Sequence, residues 1–249
     1  MIAILPKFFL FKSAEDLTRI GRKNDGGYLV SKSDIRKSEI LISLGIFDDI
    51  SFEKQFIKNK DIDLIAYDGS LNIKFWLKRV LVEFFKNPFN LYALKIFLSF
   101  KNFFKGKRKL IKKFVGLNTI DENYCTLSSI IDNLDHKNIF LKIDIEGYEY
   151  RILDTLILNQ DIICGLVIEF HDCDIHLEKI ENFIKNFKLK LVHIHGNNFT
   201  PIRSSDKLPL TLELTFSKYC NQNDTFSLPH KEDMPNNKLK PEFELKFDN

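Results

Sequence analysis

A chain of 249 residues with 44% hydrophobic content is long enough for one sizeable α/β domain, and its 24 phenylalanines supply much of a buried core. The net charge of +3 is too small to mark a nucleic-acid binder by itself, so where the charges fall matters more than their sum. The four cysteines, Cys125, Cys164, Cys173 and Cys220, form no CxxC pair, which argues against a disulfide framework or structural zinc and fits a reducing cytoplasm.

The opening stretch MIAILPKFFLF is apolar, but Pro6 and Lys7 interrupt it and no small-residue cleavage site follows. It reads as a packed or membrane-apposed arm, not a signal peptide. No uninterrupted apolar run approaches the ~20 residues of a membrane-spanning helix. In RIGRKNDGGYLV, Arg19 to Val30, Asp25-Gly26-Gly27 is turn chemistry. It makes either a hairpin leading into the domain or a lip over a cofactor pocket, with Asp25 and Gly27 as candidate contacts.

EILISLGIFDDISFEKQF follows. Glu39 to Leu44 is a buried strand, Gly45 ends it, and Ser51 to Lys58 starts a helix with a Ser cap. This is the turn of a nucleotide-binding fold without GxGxxG, so a dinucleotide is disfavoured. Gly45 lets backbone approach a ligand, while Asp48, Asp49 and Glu53 suit an ammonium and would repel a pyrophosphate. The second strand, DLIAYDGS, ends in Asp68, where an acid of a Rossmann-like sheet accepts hydrogen bonds from ribose hydroxyls; a plain surface turn is the alternative.

Residues 71–113 break the alternation. Ile73, Trp76, Leu77, Val80, Leu81 and Phe84 share one amphipathic face, Pro88 punctuates, and Leu91, Leu94 and Leu98 begin a second helix. Twelve Lys and Arg stand against Glu83 alone, so this basic aromatic helical insertion points to an anionic membrane surface, an anionic substrate, a subunit interface or a solvated face. KKFVGL, Lys112 to Leu117, is expected as strand three, with Asn118 just past it where an adenine edge could be read. TLSSIIDNL is a short helix. Strand four is Ile139 to Ile143, ending in Asp144-Ile145-Glu146-Gly147 and leading into a helix through Tyr148, Ile152, Leu153, Leu156 and Ile157. CGLVIEFHDCD is strand five, HLEKIENFIKNF a helix, KLVHIHGNN strand six and Leu208 to Phe216 strand seven; the tail from Asn221 wraps the surface. Seven strands, the last pair joined without a helix, predict a Rossmann-like methyltransferase sheet with its last strand antiparallel, in a single domain spanning 1–249.

Three strand ends then converge: Asp144, Glu169 with His171, and His193-Ile194-His195. Carboxylates and imidazole from separate strands suit a divalent ion with open positions, for which Asp144, Glu169 and His195 are the expected ligands. His171 or His195 is equally a candidate general base for a substrate hydroxyl.

RIGRKNDGGY, SLGIFDDISFE, LKIDIEGYE and HIHGNN followed by TLELTF resemble the FkbM-family methyltransferases, particularly bacterial members from surface-polysaccharide loci. The resemblance runs from Arg19 to about Phe216, and LKIDIEGYE is its most specific part. It implies S-adenosylmethionine as cofactor, with Gly45 and its loop on the methionine part, Asp68 on the ribose and Asp144 near the reacting centre. It also implies an O-methyl acceptor, expected to be a sugar or nucleotide-linked sugar of a capsule or lipopolysaccharide pathway, with Mg²⁺ or Mn²⁺ as a candidate aid. A metal-dependent hydrolase built on the Asp/Glu/His cluster and a non-catalytic membrane-surface subunit are the alternatives.

Overall fold

The runs ILISL, IFLKI and ICGLVIEF are largely apolar and show no alternation, as expected of strands covered on both faces; each carries one polar residue, Ser43, Lys142 and Glu169 respectively, and the three strands lie side by side at the centre of one sheet. The computed structural model describes residues 1–86, 92–116, 121–224 and 227–248. In chain order the N-terminal arm forms β1 (Ile2–Leu5) and the two-residue β2 (Ser13–Ala14). A hairpin follows, β3 (Leu17–Gly21) and β4 (Gly27–Ser31), and then α1 (Lys32–Lys37). The wound part begins with β5 (Ile40–Leu44), α2 (Ser51–Asn59) and β6 (Asp63–Tyr67). A helical hairpin, α3 (Ile73–Lys86) and α4 (Tyr92–Phe103), leads to β7 (Arg108–Ile111) and to the short strands β8 (Phe114–Val115) and β9 (Tyr124–Cys125). Then come α5 (Leu127–Ile131), β10 (Ile139–Ile143), α6 (Leu153–Leu158), β11 (Ile163–Phe170) and α7 (Cys173–Asn186). The chain closes with β12 (Lys190–Gly196), β13 (Leu212–Ser217), β14 (Gln222–Asn223) and β15 (Glu244–Phe247).

The main sheet has the order β12-β13-β11-β10-β5-β6-β7. Neighbours from β7 through β11 are parallel, whereas β13 runs antiparallel to both β11 and β12. This is the expected seven-stranded Rossmann-like sheet with one reversed strand. Its strand order changes direction between β5 and β10, which opens a crevice beyond the carboxyl ends of those two strands. One face packs on α5, α6, α7 and the N-terminal arm. The other is covered by the β3–β4 hairpin, α2 and the inner residues of α3 and α4.

Several local expectations change. Strand three is Arg108–Ile111, while Phe114-Val115 pairs with Tyr124-Cys125 in a separate ribbon. An edge strand tolerates charged residues, so RKLI gives no apolar run to detect. Ser51 is the first residue of α2 rather than its cap; Asp49 Oδ1 accepts its backbone N–H at 3.0 Å. After β10 the backbone turns left-handed at Glu146 and Gly147, so only a 3-10 turn and the short α6 follow where a longer helix was expected. In α3, Trp76 is buried, but Ile73, Leu77, Val80, Leu81 and Phe84 face outward. The arm is packed: β1 pairs in parallel with β15, and Ala3, Leu5 and Phe9 are buried. All four cysteines are free thiols. Among the described residues no helix is long and apolar enough to cross a membrane.

Candidate functional site

Strand register assembles the site. Tyr67 pairs with Leu44, Leu44 with Ile143 and Ile143 with Ile168, so the next residues, Asp68, Gly45, Asp144 and Glu169, stand in adjacent strands along the carboxyl edge. The row continues through Glu213 to His195. A row of this kind needs a tight crossing where the strand order reverses, and Gly45 supplies it. Its φ is +73°, and a Cβ there would lie 1.7 Å from the carbonyl oxygen of Asp144. The glycine thus serves the approach of β5 to β10. Lys142, buried in β10, donates from Nζ to the Gly45 carbonyl at 2.5 Å and holds the junction from below.

Asp68 is nearly buried and organises the loop after β5. Its Oδ2 accepts from the backbone N–H groups of Ile46 and Phe47 at 3.1 and 2.8 Å, and its Oδ1 accepts from the Ser70 N–H at 2.8 Å. Beyond it opens a cavity of about 490 Å³, within the usual range for a cofactor-sized ligand. Asp25, Asp48, Asp49, Glu53, Asp68, Asp144 and Glu146 contribute acids to its wall, against Arg22, Lys113 and Lys142. Such a wall attracts a cation. Aromatic surface comes from Phe47, Phe52, Tyr67, Phe114, Tyr124 and Tyr148. The hairpin is also a lip, because Arg22, Asp25 and Gly26 reach the cavity. Gly27 does not line it; a Cβ there would strike the Arg22 carbonyl at 2.1 Å, so this glycine serves the hairpin's own closure. Asn118 lies outside the described residues.

Next to the cavity, Asp144, Glu169 and His171 offer ligand atoms all within 4.8 Å of one another. His171 Nδ1 meets Glu149 Oε1 at 3.2 Å, and Nε2 faces Glu146, Glu169 and Asp144 at 3.5, 3.7 and 4.0 Å. Glu149 is itself fixed, since the same Oε1 accepts from the N–H groups of Ile145 and Gly147. Burial alone would push the imidazole down, but the Glu149 hydrogen bond and the charges of Glu169 and Asp144 outweigh it and raise its pKa to about 9. Glu169 is raised well above the usual carboxylate range, first by burial and then by the charge of Asp144. The Tyr28 hydroxyl lies 3.2 Å from Asp144 Oδ2 and 3.0 Å from Glu169 Oε2, so one proton serves two carboxylates. Asn197 donates to the other Glu169 oxygen at 2.8 Å.

His195 takes no part in this cluster. It is buried, with Nδ1 on Glu213 Oε2 at 2.9 Å and Nε2 facing Glu242 Oε2 at 3.3 Å. β13 stands between its strand and β11. Burial would lower its pKa, but Glu213 and Glu242 outweigh burial and hold it well above the ordinary value. His195 is therefore neither the third metal ligand nor a base for this cavity; it is a buried charge neutralised by Glu213 of β13 and Glu242 of the C-terminal tail. His171 is where an imidazole is available, yet at neutral pH it holds both protons and cannot act as a base without first losing one. His193 is likewise structural, with Nε2 3.0 Å from Asp233 of the tail. Tyr28, Glu149, Lys142 and Asn197 escape sequence reasoning as site residues. All four lie inside the quoted motifs, Tyr28 in RIGRKNDGGY, Lys142 and Glu149 in LKIDIEGYE and Asn197 in HIHGNN, and that placement is the one available signal.

Residues 73–195, just under half of the chain, match the model of the Methyltransferase FkbM domain. The match supports a methyltransferase. No curated protein matches the chain. Among solved structures, a fibrillarin/Nop5p complex aligns with 10% identity and a TM-score of 0.38 over 73% of each chain. A precorrin-6y C5,15-methyltransferase from Geobacter metallireducens aligns with 11% identity and 0.36, over 75% of this chain and 84% of that one. An rRNA methylase from Streptococcus thermophilus aligns with 8% identity and 0.40, over 75% and 93%. Scores of this size carry no argument about substrate.

Proposed function

We propose that the chain transfers the methyl group of S-adenosylmethionine to a hydroxyl of a sugar, either nucleotide-linked or part of a surface-polysaccharide precursor. The observation that carries the reading is the cavity at the strand crossover, walled by acids and aromatic rings beside Gly45 and Asp68, together with the methyltransferase domain match over 73–195. The cofactor brings a sulfonium and an ammonium, and both are matched by the acidic wall. Asp68 and the loop it ties would hold the ribose, and Asp49 with Glu53 would face the ammonium.

In the reaction the acceptor oxygen bonds to the methyl carbon as the carbon–sulfur bond breaks. The electron pair stays on sulfur, giving S-adenosylhomocysteine, and the hydroxyl proton passes to protein. The barrier is lowered by holding oxygen, carbon and sulfur in line and by receiving that proton. Asp144 is the receiving group, because it lines the cavity and also faces His171 and Tyr28. Glu146 also lines the cavity and faces His171, but its side chain is 84% exposed. The cationic His171 balances the charge of Asp144 and Glu149 without accepting a proton.

The same cluster fits a divalent ion. Once deprotonated at Nε2, His171 keeps Nδ1 on Glu149, the arrangement that orients a ligating histidine. Asp144, Glu169 and His171 would hold the ion, which would supply Lewis-acid acidification of the acceptor hydroxyl. Calorimetry tests the reading. S-adenosylmethionine and S-adenosylhomocysteine should both bind with heat, and Asp144→Asn should retain that binding while losing ~10²-fold or more in turnover. Absence of binding by either compound would overturn the assignment in favour of chemistry without this cofactor.

A further inference from the structure

On α3, Ile73, Leu77, Leu81 and Phe85 recur every fourth residue and so share one stripe; they are 62, 58, 55 and 82% exposed. Leu94 and Leu98 of α4 are also open to solvent. The inner side of this hairpin is already satisfied. Trp76 is buried and packs edge-on to Phe97 and Phe100 at ring separations of 5.5 and 5.2 Å, and Phe103 is buried as well. The outward stripe is therefore not a core face awaiting its own domain. Exposed Lys74 and Lys78 flank it on α3, and exposed Lys95 and Lys101 lie on α4.

Charge decides what covers the stripe. Residues 74–113 hold twelve of the 37 basic residues and one of the 34 acids, leaving 25 bases against 33 acids in the rest of the chain. On the hairpin itself a two-fold contact with a second copy would set the exposed Lys74, Lys78, Lys95 and Lys101 against themselves, Arg79 being paired with Asp48 and Lys107 and Arg108, beyond α4, with Asp61. An anionic bilayer offers what the surface asks for: apolar depth under the stripe and phosphates at the height of the lysine heads. The hairpin also borders the cavity. Phe75 packs against Phe47 with ring centroids 5.2 Å apart, Arg79 pairs with Asp48, and Phe47 and Asp48 both line the cavity wall.

We infer that the α3–α4 hairpin docks on an anionic lipid surface, with the Ile73–Leu77–Leu81–Phe85 stripe inserted at the headgroup boundary beside the cavity mouth. The inference stands apart from the methyl-transfer reading, and calorimetry with S-adenosylmethionine on the same samples reports on that site separately. The test is cosedimentation of the full chain with vesicles. The chain should pellet with equal parts phosphatidylcholine and phosphatidylglycerol, stay in solution with phosphatidylcholine alone, and lose binding as salt shortens the Debye length. Leu81→Ser with Phe85→Ser should weaken binding at least tenfold. Lys74→Gln and Lys78→Gln should cost about fivefold each, the contribution of one basic residue near such a surface. Circular dichroism and S-adenosylmethionine affinity should be unchanged in every variant. Failure to pellet with anionic vesicles, or equal pelleting by the serine variant, overturns the inference. A dimer in sedimentation velocity that the serine variant dissociates, without vesicle binding, would assign the stripe to a second copy and overturn it as well.

Discussion

Replacing Gly45 by Ala tests whether the crossing of β5 and β10 builds the site. The added Cβ would sit 1.7 Å from the Asp144 carbonyl oxygen and 2.8 Å from its carbon. Both are backbone atoms, so no rotamer change relieves the contact. Reaching ordinary separation requires the strand ends to part by roughly 1.5 Å or more. That displacement disrupts the 2.9 Å bond from Asp144 N to Leu44 O and the Lys142 bond to the Gly45 carbonyl. Left-handed backbone for alanine costs about 1 kcal/mol. The two bonds add about 1 and 2 kcal/mol, the larger for the charged donor. The expected loss is therefore about 4 kcal/mol, or a fall in Tm of about 10 °C for a chain of this size. Gly106→Ala is the control. Its φ is +63° and nothing lies within 4 Å of a Cβ there, so strain alone operates, lowering Tm by about 3 °C. Thermal unfolding and calorimetry with S-adenosylmethionine read both effects. A Gly45→Ala variant as stable as Gly106→Ala, with unchanged cofactor affinity, would refute the reasoning.

Asp68→Ala strands the N–H groups of Ile46 and Phe47; cofactor affinity should fall ~10- to 100-fold and Tm should fall with it, whereas unchanged affinity in a titration removes Asp68 from the site. The His171 pKa of about 9 lies above the ordinary 6.5, so its contribution to stability is complete below pH 6.5 and is lost as pH rises through 9. His171→Gln should accordingly cost up to about 3 kcal/mol in urea unfolding at pH 6.5 and little at pH 9.5; equal cost at both would sink the charge argument. Chelator-stripped protein should bind Mn²⁺ in calorimetry, and Glu169→Gln or His171→Gln should abolish that binding; equal binding by these variants would exclude the cluster as its site.

The sequence by itself determined the sheet strands that are apolar on both faces. β5, β10 and β11 fall within a residue or two of where largely apolar runs put them, because strands covered on both sides carry few polar residues to blur the pattern, here Ser43, Lys142 and Glu169, one in each strand. It also placed Gly45, Asp68, Asp144 and Glu169 at strand ends, since each follows such a run directly. The edge strand β7 was hidden by its own charges. Which imidazole joins the carboxylates was decided by tertiary structure alone. His171 and His195 both end apolar strands, and nothing in their local sequence ranks them. The insertion of β13 between β11 and β12 moves His195 away from Glu169, and the C-terminal tail brings Glu242 onto its Nε2. The outward turn of α3 was equally illegible, because helical periodicity reports that apolar residues share a face and not which way that face points. That direction was set when Trp76, Phe100 and Phe103 took the inner positions, leaving Leu77, Leu81 and Phe85 on the outside.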